Sequence, residues 1–142
     1  MRGGFIFTAV PAEDGFGSEQ VSWVITAGEH RLFHGGDTLW HGQWNTIGKQ
    51  FGPFDIAFLP INGARVGGDP LQETPAVLTP AQAVDAAISI RANVLIPIHY
   101  GLNDPPNYVE ADKPIETLLI DAKRRGVGVR NLLPGDNMTL NE

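Results

Sequence analysis

Apolar residues occur in short runs along the chain, and the spacing within each run indicates a strand or a helix. The first runs predict strands over residues 5–10, 20–26 and 31–35. In the second strand Val21, Trp23 and Ile25 share one face, because side chains alternate along a strand. A Gly-Glu turn at residues 28–29 then predicts an antiparallel hairpin.

The later part of the chain alternates strands with helices. Helices are predicted over residues 40–51, 79–92 and 114–125, and strands over 55–61, 93–99, 127–133 and, at the sheet edge, 138–140. Thr79, Pro80 and Gln82 have the spacing of a capping box at the start of a helix. The fold class predicted is α/β (α+β), a mixed β-sheet with helices on one face. The other face needs a partner, since its apolar side chains would otherwise meet water.

Composition excludes several classes of protein. A chain of 142 residues with 42% apolar and 18% charged residues is predicted to form a single globular domain over residues 1–142. A net charge of -6, with a basic cluster only at residues 123–125, argues against binding nucleic acid. Cysteine is absent, so disulfides and thiolate ligands are excluded. No apolar run is long enough for a membrane span, and we expect a cytoplasmic protein.

Two of the apolar runs end in a side chain that can bind a metal. Asp37 follows the strand predicted at 31–35, and His99 ends the strand predicted at 93–99. Side chains at the carboxyl ends of strands in an α/β sheet reach the crevice where ligands bind. A carboxylate and an imidazole placed there can hold a divalent metal. The chain has four histidines and no His-x-His pair.

Six segments, in order, resemble the second half of a metallo-β-lactamase-fold hydrolase. The branch they resemble contains ascorbate-6-phosphate-lactonase-like hydrolases and the N-acyl-phosphatidylethanolamine phospholipase D type. The segments are TAVPA at 8–12, GDT at 36–38, IGKQFGPFDIA at 47–57, LPI at 59–61, TPAQAV at 79–84 and IPIHYG at 96–101. Such a match implies half of an αββα sandwich. The sheet of the other half would cover the face of this sheet that carries no helices.

The resemblance also implies a metal site. In complete members two metals, commonly zinc, lie between the halves and activate a water that hydrolyses an ester, lactone or phosphodiester. Asp37 matches the bridging carboxylate and His99 the last histidine. Asp14 stands where a histidine is expected, and is a possible third ligand. The His-x-His-x-Asp-His motif of the first half is missing, so we expect a weak or empty metal site, and no hydrolysis by this chain alone.

Simpler roles remain open for these residues. Asp37 can cap the following backbone, His99 can belong to a hydrogen-bond network, and Asp14 can be an ordinary loop residue. His34 and His41 flank Asp37, but we expect His34 to point into the sheet and His41 to lie on a helix surface.

Three hypotheses follow for the whole chain. It is half of a hydrolase that a complementary N-terminal half-domain activates, or a homodimer that pairs its own bare faces. The third hypothesis is a non-catalytic, self-associating or partner-binding domain whose metal site has decayed.

Overall fold

The computed structural model describes residues 4–15, 19–67 and 75–140. In these residues one mixed sheet has the strand order β1-β2-β3-β4-β6-β8. Its strands are β1 (Phe5–Ala12), β2 (Gln20–Ala27), β3 (His30–His34), β4 (Phe54–Pro60), β6 (Ala92–Ile98) and β8 (Gly128–Val129). The first three strands are antiparallel neighbours, as predicted, and β3, β4, β6 and β8 run parallel. A separate antiparallel pair joins β5 (Arg65–Val66) to β7 (Tyr108–Val109).

Three helices of the described chain pack on one face of the sheet. They are α1 (Trp44–Phe51), α2 (Pro80–Ser89) and α3 (Pro114–Arg125). Helix α2 lies over β4 and β6 and contacts both α1 and α3. Side chains from all three helices join one apolar core with Val24, Phe33, Ala57 and Leu95 of the sheet. The predicted fold class is therefore confirmed. None of the helices described here is long and apolar enough to cross a membrane.

The start of α2 follows directly from its sequence. The Thr79 hydroxyl accepts from the Gln82 N–H at 3.3 Å, and the Gln82 side chain accepts from the Thr79 N–H at 3.0 Å. This reciprocal pair satisfies two donors that a helix start would otherwise leave exposed. The predicted capping box is confirmed.

Close packing between α1 and the end of α2 explains a glycine within a helix. A Cβ at Gly48 would lie 2.8 Å from the Cα of Ile90, so only glycine lets the backbones approach this closely. The Arg91 guanidinium closes the junction, donating to the carbonyls of Gly48 and Gly52 at 2.7 and 2.8 Å.

The opposite face of the sheet is apolar and bare. Phe7 is 60% exposed and Trp23 is 41% exposed, although both lie within strands. Ile25 pairs with Phe7, and Trp23 pairs with His34, so these side chains form one continuous patch. The expectation that the Val21, Trp23 and Ile25 face lacks cover from the chain's own helices holds for Val21 and Trp23, whereas Ile25 is half-buried.

Several predicted boundaries were wrong. Helix α1 begins at Trp44 instead of residue 40, because the His41 ring accepts the Gln43 N–H and holds a turn before it. Residues 138–140 form no strand, and β8 stops at Val129. Beyond β8 the chain closes a turn in which the Asp136 side chain accepts the Leu133 N–H. The pair β5–β7 lies in segments where the sequence predicts neither a strand nor a helix.

Candidate metal centre

Asp37 is positioned by the backbone that follows β3. The Gly35 N–H donates to the Phe58 carbonyl at 2.9 Å, and the buried Ser22 hydroxyl donates to the Gly35 carbonyl at 3.0 Å. Gly36 then adopts a left-handed φ of 68°, which glycine tolerates without strain. These contacts end the strand at a fixed point, so that Asp37 lies at the carboxyl edge of the sheet.

Thr38 ties this segment to the end of β1. Its buried hydroxyl accepts the Glu13 N–H at 3.1 Å, and the Leu39 N–H donates to the Glu13 carbonyl at 2.7 Å. Asp14, the next residue after Glu13, is thereby brought to the same side as Asp37. The Thr38 carbonyl also accepts from Leu78, which draws the chain before α2 toward the site.

His99 follows β6 and reaches the same edge. Strands β4 and β6 are parallel neighbours, with Pro60 beside Ile98 at their carboxyl ends. His99 has a φ of 57°, a left-handed conformation that few residues with a side chain adopt. Its position agrees with the rule that ligand sites lie beyond the carboxyl ends of parallel strands.

A cavity of about 410 Å³ brings the three predicted residues together. Its wall contains Asp14, Asp37 and His99, together with Tyr108 and a set of small or aliphatic residues. That set consists of Ala64, Val66, Gly67, Ala76 and Val77. Across the described ranges, no three His, Asp or Glu side chains are grouped closely enough to hold a metal ion. The donor types suit a divalent metal, but their spacing does not form a complete centre here.

His34 lies on the bare face of the sheet. Its ring stacks on Phe58 with centroids 5.7 Å apart, and its Nδ1 accepts the Gly36 N–H at 3.1 Å. It borders a second, open cavity with Phe7, Trp23 and Ile25. Burial lowers the pKa of His34, and a hydrogen bond between the ring and the backbone of His34 itself opposes that shift in part. His34 therefore belongs to the apolar patch.

The prediction that His41 lies on a helix surface was wrong. His41 precedes α1 and is only 5% exposed. Its ring stacks on Trp44 with centroids 4.5 Å apart, and its Nδ1 accepts the Gln43 N–H at 3.1 Å. Burial lowers the pKa of His41, against a smaller opposing effect of the Glu13 carboxylate. The ring packs as a neutral part of the α1 junction.

Sequence reasoning missed Tyr108, a polar residue of the cavity wall, and Asn62, which is bonded to Tyr108. The Asn62 amide nitrogen donates to the Tyr108 hydroxyl at 2.7 Å, and Asn62 is 1% exposed. Asn62 lies two residues after the end of β4, so its place near a strand end was an available signal. Tyr108 carries no local signal, because it reaches the cavity through the pairing of β7 with β5.

The fold agrees with that of known proteins. Residues 2–100 match the family described as "Beta-lactamase superfamily domain", and the chain belongs to that family. A metal-dependent hydrolase from Rubrobacter xylanophilus is 33% identical over 101 residues, covering 68% of this chain and 37% of the relative. Another from Opitutus terrae is 30% identical over 116 residues, covering 82% of this chain and 43% of the relative.

A solved structure shows the same fold. Igni18, a metallo hydrolase from Ignicoccus hospitalis, superposes with a TM-score of 0.70 at 24% identity, over 99% of this chain and 54% of that chain. The chain therefore spans about half of this solved structure and less than half of either curated relative described above. The findings show the fold and the family, and the two curated relatives are described as metal-dependent hydrolases.

Proposed function

We propose that this chain provides one side of a divalent-metal centre for hydrolysis, with Asp37 and His99 as ligands and Asp14 as a third. The observation that carries this proposal is that all three residues line one cavity at the carboxyl edge of the sheet. The relatives described as metal-dependent hydrolases support the reaction class. By its motifs we place the chain near the ascorbate-6-phosphate-lactonase-like and N-acyl-phosphatidylethanolamine phospholipase D-like branch.

The donor set suits zinc among the divalent metals. Carboxylate oxygen and imidazole nitrogen are both common zinc ligands. When bound, zinc lowers the pKa of a coordinated water and polarises the scissile group. Asp37 and His99 would hold it, and the aliphatic wall of the cavity would limit access of bulk water. Three donors leave a dinuclear centre incomplete, so we infer that further ligands come from outside the described chain.

A complementary half-domain would complete both the metal site and the cover of the sheet. It would supply the remaining ligands, and its own sheet would cover the patch formed by Phe7, Trp23, Ile25 and His34. The curated relatives are more than twice as long as the stretch that they share with this chain. They contain enough additional chain for a second half of the sandwich.

Zinc binding tests the ligand assignment without requiring activity. Metal-stripped protein is dialysed against zinc, and bound metal is measured by elemental analysis. We expect weak binding by the wild type and a loss of affinity of at least about tenfold in Asp37→Asn and in His99→Gln. Asp112→Asn, which changes an exposed aspartate outside the cavity wall, is the matched control and should bind as the wild type does. Equal zinc binding by all four proteins would refute the assignment.

Complementation tests the hydrolytic role. The chain is mixed with the separately expressed first half of the Rubrobacter xylanophilus relative and zinc, and hydrolysis of p-nitrophenyl esters and of lactones is followed. We expect activity in the mixture only, abolished by Asp37→Asn. A mixture that forms a complex and binds zinc but remains inactive would contradict the proposal.

The bare apolar face favours a second candidate function, a non-catalytic domain that self-associates through this face. In this case a second copy of the chain would cover Trp23. Sedimentation equilibrium should then show a dimer at micromolar concentration, and Trp23→Lys should shift it to monomer by placing a charge in an apolar contact. A monomeric wild type would exclude this candidate.

A further inference from the structure

We infer that β1 is a docking edge for a second copy of this chain, whose own β1 pairs with it antiparallel and continues the sheet across two molecules. The inference concerns the edge of the sheet, so it goes beyond the proposed metal site and is separate from the bare face. It draws on three observations: the free main-chain groups of β1, the exposure of its side chains, and its lack of charge.

Strand β1 has an unpaired side. It is the first strand of the sheet, and all eight of its residues pair antiparallel with β2. A strand that is paired on one side directs alternate N–H and C=O groups away from its neighbour. Within the described residues, no strand pairs with those outward groups. Such a row of donors and acceptors is a template for another extended strand.

The other edge of the sheet offers no comparable template. Strand β8 has only two residues, Gly128 and Val129. The next residue, Arg130, uses its N–H to donate to the Leu95 carbonyl of β6. Short edge strands are one of the ways in which proteins prevent pairing with other chains. Of the two edges, only β1 is therefore long enough to accept a full strand.

The side chains at the start of β1 are exposed on both faces of the sheet. Phe5, Ile6 and Phe7 are 68, 64 and 60% exposed. Phe5 and Phe7 point to one face, with ring centroids 6.4 Å apart, and Ile6 points to the other. A strand added in the plane of the sheet would bring cross-strand neighbours to both faces at once. Such pairs of apolar side chains stabilise antiparallel strands.

Charge favours a second copy as the occupant. Residues 5–12 contain no charged side chain, although the chain carries a net charge of -6. Charged side chains are a common protection of edge strands, and like charges placed opposite each other would oppose the pairing of identical strands. A two-fold pair centred on Thr8 would place residues 5–11 of one copy against residues 11–5 of the other. That contact would contain no charge and would use most of the strand.

The pairing is expected to be weak. Stable complexes bury about 1,200–2,000 Å² in total, and a single pair of strands covers less. We expect a dissociation constant of about 10⁻⁴ M. The chain would then be mainly monomeric at micromolar concentration. Because the contact lies in the plane of the sheet, it would leave the bare face free for a half-domain.

Amide hydrogen exchange at two protein concentrations tests the pairing. One alternate set of β1 amides is bonded to β2, and the other set becomes protected only when a second copy is bound. We expect this outward set to exchange about threefold more slowly at about 1 mM than at about 20 µM, because the unpaired fraction falls. Sedimentation equilibrium over the same range should show the average mass rising from one copy toward two.

Three variants distinguish the edge from the bare face. Ile6→Lys places a charge against the second copy and should remove the concentration dependence. Leu133→Lys is the matched control, since Leu133 is 62% exposed and lies after β8, and it should behave as the wild type does. Trp23→Lys charges the bare face and should also retain the dependence, whereas association through that face would be lost. Thermal melts establish that each variant is folded.

Cross-linking locates the contact. The chain contains no cysteine, so a single introduced cysteine can form a disulfide only with its own copy. Thr8→Cys should form a disulfide-linked dimer at least about tenfold faster than Leu133→Cys, since residues facing each other across paired strands lie within disulfide range. Ile6→Cys and Phe7→Cys test the neighbouring registers, and faster cross-linking by either would also support pairing at this edge.

The inference is overturned if the outward amides exchange equally fast at both concentrations, if Ile6→Lys keeps the concentration dependence, or if Trp23→Lys loses it. It is also overturned if none of the three cysteine variants of β1 cross-links faster than Leu133→Cys. None of these measurements involves zinc, so the proposed metal site stands or fails independently of them.

Discussion

Phe33 and Phe7 lie in the same sheet but on opposite faces, and their surroundings differ completely. Phe33 is fully buried, with edge-to-face contacts to Trp44 and Phe54 at centroid distances of 5.8 and 5.7 Å. Phe7 is 60% exposed beside the equally apolar Trp23. One face is covered by three helices, whereas the other presents the same kind of side chain to solvent.

The difference shows that apolar content alone does not say which face of a sheet is covered within the chain. Connections of the β-α-β kind place α2 over β4 and β6, and the antiparallel strands β1 to β3 add sheet area without adding helices. A contiguous exposed apolar patch marks a surface that binds another protein or another part of one.

The largest predicted effect tests the two faces directly. Phe33→Ala should lower the free energy of unfolding by about 3–5 kcal/mol, because it removes a large buried ring and leaves a cavity. Phe7→Ala should change it by less than about 0.5 kcal/mol, as expected of an exposed site. Urea unfolding followed by circular dichroism measures both. A comparable loss in Phe7→Ala would mean that a partner or second copy covers the bare face in solution.

The covered side also depends on close backbone contact between α1 and α2. Gly48→Ala should destabilise the chain by about 1–3 kcal/mol, because its Cβ would overlap the Ser89 and Ile90 backbone. Gly42→Ala is the matched control, since nothing lies within 4 Å of its Cβ position. The melting temperatures of the two variants, measured by thermal unfolding, are compared. Equal melting temperatures would show that α1 does not pack this closely on α2.

The capping box of α2 makes a smaller contribution to the covered face. Thr79→Ala should cost about 1 kcal/mol by removing the acceptor for the Gln82 N–H. Thr79→Ser retains the hydroxyl and should recover most of that loss. The denaturant midpoints of the two variants, compared where the denaturant dependence of the unfolding free energy is unchanged, test this prediction. Identical midpoints for Thr79→Ala and Thr79→Ser would contradict it.

The smallest effect concerns pH, and it compares a histidine on each face. Burial lowers the pKa of His34 and of His41 below the ordinary value of 6.5. The unfolded state then binds protons first, so stability is full above pH 6.5 and falls as pH decreases through the folded-state pKa values. We expect His34→Gln and His41→Gln each to reduce the change in the free energy of unfolding with pH, measured by urea titrations between about pH 5 and 7.5. The same pH dependence in both variants as in the wild type would refute this prediction.

The sequence predicted elements best where local rules dominate. Thr79, Pro80 and Gln82 define the start of α2 without tertiary contacts, and Gly126 ends α3 with a left-handed φ of 74°. The predicted start of α1 was wrong because Trp40 and His41 stack on Trp44 outside the helix. Helical spacing of aromatic residues cannot distinguish such stacking from a further turn of helix.

Those site residues that lie just beyond the carboxyl ends of strands could be predicted from the sequence. Asp14, Asp37 and His99 occupy one cavity wall, as their placement in the sequence suggested, although metal binding by them stays a prediction. Tyr108 and Asn62 were missed because their bond joins residues 46 positions apart. No local pattern of apolar and polar residues encodes such a contact.

The left-handed backbone at His99 has an evolutionary consequence. A residue with a Cβ pays roughly 1–2 kcal/mol for this conformation, and glycine would remove most of that strain. Selection for thermal robustness alone would thus drive position 99 toward glycine. In the metal site proposed above, the imidazole at that position would give up this stability in exchange for a nitrogen ligand.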